Sequence, residues 1–285
     1  MPLDAILLVL VASIIHAGWN LLLHETPDRE AAMAVNGLVT GLAMLPLILI
    51  WPPWQVWPLI ILSGIAQSAY SLFLAAAYRH GMLGVSYPIA RGSAPFLVTL
   101  GGWLLLSQRP SGLSLLGAAL LGLGLVTIAL AGRRASQGAA VGFAVLTGIS
   151  IASYQVIDAR SVQDVNPTGY LGAVFLVQGV LLTCWLRATR RPAEAHERTT
   201  RLARLTGDSL AHLRDSLRVG TMIAFGSTAA YLLVVFAMQR ADAGRVSTLR
   251  EISILLGLVI ARERFGRATW IGASLVVAGA LLAAF

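Results

Sequence analysis

The sequence predicts an all-α integral membrane protein of ten transmembrane helices, laid out as two inverted five-helix repeats. Three observations lead there. The 285 residues are 57% hydrophobic and only 12% charged, with a mean hydropathy of +0.77; that is too little charge to clothe a soluble domain of this size. The apolar residues arrive in long blocks, which suits spans rather than a single buried core. Short motifs also recur in the same order in the two halves of the chain.

The spans fall where charge stops: 3–23, 31–50, 58–78, 84–107, 112–131, 138–157, 168–186, 218–239, 243–261 and 267–285. Most are long enough to cross a hydrocarbon core of roughly 30 Å at about 1.5 Å per residue. Lipid admits only helices or closed barrels, and Leu, Ala and Gly in these lengths mean helices that pack closely. The first segment does not read as a cleaved signal: it carries Asp4, lacks a basic start, and contains His16, Trp19 and Asn20. Breakers mark the connections: Pro27, Pro52 and Pro53, Pro110, Gly132 and Pro167. Trp51, Trp54 and Trp57, interleaved with prolines between spans two and three, read as an aromatic belt at the water interface. Residues 187–217 differ. Seven arginines, from Arg187 to Arg214, are interspersed with Glu194, Glu197, Asp208 and Asp215, while leucines recur at roughly helical spacing. Either an amphipathic helix on an anionic membrane surface or a solvated loop fits.

The internal repeat divides the chain into residues 1–131 and 138–285, the second half carrying the loop 187–217. Trp19 and Asn20 match Tyr154 and Gln155. The stretch from Ala77 to Gly84 matches that from Ala237 to Gly244. Arg91 in the fourth span sits where Arg250 sits in the ninth, and Gln108 and Arg109 match Glu263 and Arg264. Five helices per repeat insert the second half upside down relative to the first, a plan that puts a binding site at midplane between the halves. The interval from Arg91 to Gln108 is 17 residues and that from Arg250 to Glu263 is 13. The ninth helix is therefore about one turn short, unwound or tilted.

These residues resemble the drug/metabolite transporter superfamily, and within it the EamA-type permeases. The likeness covers nearly the whole chain. The family's Gly-Glu-Arg signature appears as Arg262, Glu263 and Arg264 in the second half, but as Ser107, Gln108 and Arg109 in the first, where the acid is missing. The stretches His16 to Asn20, Pro88 to Gly92 and Leu249 to Glu251 resemble a branch of these permeases with some members associated with phosphonate use. The resemblance implies transport of a small metabolite, by alternating access, in the cell's inner (plasma) membrane.

The residues offer candidates for the chemistry. Arg91 and Arg250 lie well inside apolar spans, where an arginine costs about 2.5–3.5 kcal/mol on insertion scales and persists when it faces a cavity and an anion. The alternative is snorkelling from a helix end. Glu251 should seek a cation on another helix, with Arg91 and His16 the candidates. Two arginines against one glutamate leave one positive charge, which suits a carboxylate or phosphonate; alternatively Glu251 titrates and couples transport to protons, or all three form a structural network. His16 and Asn20, four apart, share a helix face; His16 is a candidate proton carrier and Asn20 a substrate contact or helix glue. Trp19 and Tyr154 read as interfacial anchors or packing residues, with Tyr154 also a candidate beside Gln155. Asn36, Gln67, Tyr70, Tyr87, Gln155, Gln178 and Tyr231 complete the polar and aromatic set within spans. Pro88 and Pro95 bracket Arg91 and predict a kink there.

What is excluded also matters. The net charge of +8 sits in arginines beside apolar spans, so it points to membrane orientation and anionic lipid rather than nucleic acid. Cys184 is the single cysteine, so no intrachain disulfide forms. No hydrolase, zinc-protease, dithiol or phosphate-loop motif is present, so neither an enzyme, a cofactor nor a metal is expected. The expected partners are a small-molecule substrate and membrane lipids, with a proton as candidate coupling ion and a second copy as candidate partner in a homodimer. Counting arginines per side puts both termini outside by the positive-inside rule, against the cytoplasmic termini that the family resemblance implies. Two rival functions remain: flipping of a lipid-linked or amphiphilic substrate, and a non-transporting sensor or assembly subunit that uses the loop 187–217.

Overall fold

The computed structural model describes residues 1–80, 83–131, 138–189, 208–253 and 266–284. Helices form wherever an uninterrupted apolar run leaves the backbone no other partner. In chain order they are α1 (Leu3–Glu25), α2 (Arg29–Ala43), α3 (Leu45–Ile50), α4 (Trp57–His80), α5 (Leu83–Leu106), α6 (Gly112–Ala131), α7 (Gly138–Ser161), α8 (Pro167–Thr189), α9 (Asp208–Met238), α10 (Ala243–Arg250) and α11 (Arg267–Ala284). Among the described residues, six segments are long and apolar enough to cross a membrane: α1, α4 with the short turn before it, α7, α8, and the apolar parts of α5 and α9. Shorter apolar stretches lie in α6 and α11.

The molecule is inside out relative to a soluble protein. Leu3, Leu7, Val11 and Ile14 line an exposed stripe of α1, and Phe96, Leu100, Trp103 and Leu104 do so on α5. His16, Asn20, Arg91, Asp158, Arg250 and Glu251 are buried instead. Apolar side chains facing outward around a polar interior are what a lipid solvent selects. Trp51, Trp54 and Trp57 are exposed together between α3 and α4.

Three boundaries depart from the sequence expectation for physical reasons. The second span is broken at Met44, because Pro46 cannot donate to the Leu42 carbonyl; α3 restarts with that proline in its first turn. The eighth helix begins at Asp208, ten residues before the expected 218, so part of the charged stretch continues a helix; residues 190–207 lie outside the described residues. The sixth helix runs on to Ser161 rather than stopping at 157, with consequences for the site. The ninth span is described only to Ser253, with α10 ending at Arg250 and a turn at Glu251. In contrast α5 runs unbroken through Pro88 and Pro95.

Helices pack α6 on α11, α2 on α8, α4 on α7 and α8, α1 on α9 and α10, α5 on α6, α7 and α10, α9 on α2, and α10 on α11. Glycine permits the closest approaches. A Cβ on Gly37 of α2 would lie 2.6 Å from the Gly179 backbone nitrogen of α8. One on Gly272 of α11 would lie 2.5 Å from the Gly124 carbonyl of α6. Backbone cannot yield as a flexible side chain does, so these positions admit no side chain.

Candidate functional site

The buried polar cluster forms where α1, α5 and α10 meet, with α4, α7, α8 and α9 completing its wall. Its centre is the break in α10. The helix ends at Arg250 with a turn at Glu251, and the Ser13 hydroxyl of α1 lies 3.2 Å from the Arg250 carbonyl. The break turns the neighbouring side chains of Arg250 and Glu251 toward different helices.

Glu251 meets Arg91 of α5. The guanidinium Nη2 lies 2.9 Å from Oε1 and Nε donates to Oε2 at 3.2 Å, a two-point contact between side chains that are 1% and 0% exposed. A planar guanidinium matches a carboxylate in this way, and two buried charges need it.

Among the described residues Arg250 has no such partner. It is 2% exposed, its Nη2 donates to His16 Nδ1 at 3.1 Å, and its Cζ lies 5.4 Å from the centre of the Tyr231 ring. Its Nε and Nη1 make no hydrogen bond among the described residues. Since Arg250 can only donate, His16 accepts at Nδ1 and is the neutral tautomer with its proton on Nε2. That nitrogen lies 3.1 Å from the Asn20 amide, whose other end is 3.2 Å from the Tyr78 hydroxyl. Asn20 Nδ2 faces this nitrogen and the Tyr78 hydroxyl donates to Asn20 Oδ1; turning the amide over brings its carbonyl to the imidazole N–H, and every contact in the chain Arg250, His16, Asn20, Tyr78 then has one donor and one acceptor. Trp19 packs edge-on against His16 with ring centres 4.7 Å apart.

Tyr154 and Gln155 of α7 are buried rather than interfacial. The Tyr154 ring stacks edge-on between Tyr70 of α4, at 5.9 Å, and Tyr231 of α9, at 5.6 Å. Of the two roles expected for Trp19 and Tyr154, anchor or packing residue, their burial fits packing. The Gln155 amide makes no hydrogen bond among the described residues. The Tyr87 side chain, Glu263 and Arg264 lie outside the described residues.

Two residues have roles that the sequence pattern does not give, and the first is not marked by it at all. Asp158 is fully buried one turn beyond Tyr154. Its Oδ1 accepts from the hydroxyls of Ser63, at 2.5 Å, and Tyr170, at 2.6 Å; its Oδ2 accepts from Tyr231. Placing the sixth span where charge stops puts its end at 157 and makes Asp158 a boundary charge. Its spacing of four from Tyr154 on one helix is the available signal. Gln108 is marked in the sequence as the match of Glu263, but the contact it makes is not. Asp242 precedes α10 but its side chain does not cap it; instead Gln108 Oε1 accepts from the Ala243 N–H at 3.1 Å.

An apolar exterior, several membrane-long helices and ionisable groups gathered in the interior define a multi-pass membrane protein with a polar site in its interior. Comparison with known proteins narrows the class. The model of the EamA-like transporter family matches residues 138–285, and the chain belongs to that family. It is 24% identical over 304 residues to the protein called "Uncharacterized transporter YwfM" of Bacillus subtilis (strain 168), a match covering 97% of this chain and 92% of the relative. A crystal structure of another protein shares the fold, with a TM-score of 0.67 at 16% identity over 98% of this chain and 96% of that one.

Proposed function

We propose that this membrane transporter is a secondary carrier for a small anionic or zwitterionic metabolite, working in the cell's inner (plasma) membrane by alternating access between residues 1–131 and 138–285, with Arg250 receiving the substrate's acidic group. The observation that carries the reading is the contrast between the two buried arginines. Arg91 is matched by Glu251, whereas Arg250 faces a neutral imidazole and an aromatic ring and forms no ion pair among the described residues. A guanidinium held out of water with two unbonded nitrogens is a receptor for a carboxylate or phosphonate. Asn20, Tyr154 and Gln155 supply neighbouring polar contacts, the unsatisfied Gln155 amide above all.

The two-half plan with ten spans is supported by the way the helices pair. Exchange α1 with α7, the α2 and α3 pair with α8, α4 with α9, α5 with α10 and α6 with α11, and the most extensive packing pairs map onto one another. The α4/α7 contact becomes α9/α1, α5/α7 becomes α10/α1, α4/α8 becomes α9/α2, and α5/α6 becomes α10/α11; α6/α11, α2/α8 and α5/α10 exchange with themselves. Such pairing is what two inverted copies around a central axis would produce.

The test is a thermal-shift screen of purified protein against glutamate, succinate and methylphosphonate, run on wild type and Arg250→Ala. A ligand at one hundred times its Kd stabilises the native state by about 2.7 kcal/mol. Stabilisation of wild type and none of the variant is expected; equal stabilisation of both removes Arg250 from the site.

A further inference from the structure

We propose that Asp158 is the proton-coupling carboxyl of this carrier, taking up one proton when an anion binds Arg250 and releasing it when the anion leaves. The proposal deepens the reading of Arg250 as the substrate's receptor and rests on it.

The first ground is the charge of the interior. Arg91 and Arg250 bring two positive charges, Glu251 and Asp158 two negative ones, and His16 is held neutral by its acceptor role. These groups sum to zero only with Asp158 ionised. An anion added to Arg250 leaves one uncompensated negative charge in a medium where such a charge is costly. Protonating one carboxylate restores neutrality. Glu251 is tied at two points to Arg91, whereas Asp158 forms no ion pair among the described residues and is the carboxylate free to change.

The second ground is its cage. Three hydroxyls from three helices converge on the carboxylate: Ser63 of α4, Tyr170 of α8 and Tyr231 of α9. A hydroxyl both donates and accepts by rotation. With Asp158 ionised all three donate to it; with Asp158 protonated, one turns and accepts the new O–H. Asp158 keeps hydrogen-bond partners in both states without moving the backbone, a property a guanidinium or ammonium partner would not give. The step adds one proton from water to one carboxylate oxygen and forms one O–H bond, with no net change of charge once the anion is counted.

The third ground is connection. Tyr231 gives its hydroxyl to Asp158 and its ring face to Arg250, so the two sites share a side chain. The groups facing the cage from the packed elements are Tyr154 on α7, Tyr70 on α4, Tyr170 on α8 and Tyr231 on α9; the cations of the adjoining α5 and α10 are Arg91 and Arg250.

The experiment has two arms on protein reconstituted in lipid. In the first, pH-difference infrared spectroscopy follows protonated-carboxyl C=O stretches in wild type, Asp158→Asn and Glu251→Gln. A titrating band absent only from Asp158→Asn is expected; a band lost with Glu251→Gln and retained with Asp158→Asn overturns the proposal, as does the absence of any titrating band. If Asp158→Asn does not fold, Tyr231→Phe keeps the carboxyl but removes one hydrogen bond. The band's midpoint should then move, and an unchanged midpoint assigns it elsewhere. In the second arm, glutamate, succinate and methylphosphonate are added to weakly buffered protein with a pH indicator. Uptake of about one proton per bound anion is expected, with affinity rising about tenfold per unit fall in pH, and both effects lost in Asp158→Asn. Anion binding with no proton uptake, or with uptake that survives Asp158→Asn, overturns the coupling. If none of the three anions binds, the reading of Arg250 fails, and the proposal, which rests on it, is overturned with it; the infrared arm then shows separately whether Asp158 titrates.

Discussion

Glu251→Gln is expected to cost the protein about 3–5 kcal/mol of stability, because it strips the counter-ion from a guanidinium that stays buried. The magnitude follows from the geometry: Arg91 is 1% exposed, Glu251 is 0% exposed, and the contact has two points, so no water can replace the lost carboxylate. Over 285 residues, an unfolding entropy of about 2.1 cal/mol/K per residue converts this to a fall in melting temperature of roughly 5–8 °C. Arg91→Gln should cost a similar amount by stranding Glu251. The double variant Arg91→Gln with Glu251→Gln should recover most of the loss, since two amides can bond to each other and neither leaves a charge behind. The assay is a double-mutant cycle by thermal unfolding in detergent, with fluorescence of the seven tryptophans as readout. Single variants that each cost under about 1 kcal/mol, or a double variant whose loss equals the sum of the singles, would refute the reasoning that this pair is a closed electrostatic unit.

Other outcomes follow from the packing and the termini. Gly179→Leu should abolish stable, monodisperse protein, because a Cβ there runs into the backbone of α2, and overpacking even where neighbours can shift costs about 1–3 kcal/mol; size-exclusion profiles read it. Gln108→Ala should lower stability by roughly 0.5–1 kcal/mol by removing the acceptor at the start of α10, and Gln108→Glu should preserve it; thermal unfolding of the two variants checks both. Reporter fusions after Phe285 should give a non-cytoplasmic signal if loop arginines set the orientation; a cytoplasmic signal would show that analogy with the family outweighs the charge count.

Composition and period carry the parts of the fold that depend on them. Long apolar runs locate the helices, and the matched positions of Arg91 and Arg250 mark the interior by sequence spacing alone. Contacts between helices are less legible. The sequence leaves Glu251 a choice between Arg91 and His16, and packing brings it to Arg91 and brings His16 to Arg250; spacing along one helix says nothing about which face of another it meets. Asp158 is hidden because a charge reads as the end of a span, although hydroxyls from α4, α8 and α9 can hold a carboxylate well inside one. The break before Pro46 is hidden for the opposite reason: an apolar run around a single proline looks like one helix.

On the proposed two-half plan, the two carboxylates of the site arise where the copies differ. Aligning Trp19 with Tyr154 sets Leu23 opposite Asp158, and aligning Arg91 with Arg250 sets Gly92 opposite Glu251. Both buried carboxylates thus belong to the second half, while each half contributes one arginine. The contacts that cross between halves are then unequal. Arg91 with Glu251 is an ion pair without water, costly to separate. His16 with Arg250 and Ser63 with Asp158 are single hydrogen bonds to neutral partners, which a substrate or a proton can replace. Under the proposed alternating access, the Arg91–Glu251 pair between α5 and α10 is the contact expected to persist, and His16–Arg250 and Ser63–Asp158 are contacts expected to exchange. On that plan, an anion taking the place of His16 on Arg250 would remove one of the two hydrogen bonds from α1 to this residue, leaving that of Ser13 to its carbonyl. Substrate binding would thus weaken, at one point, the contact between the halves.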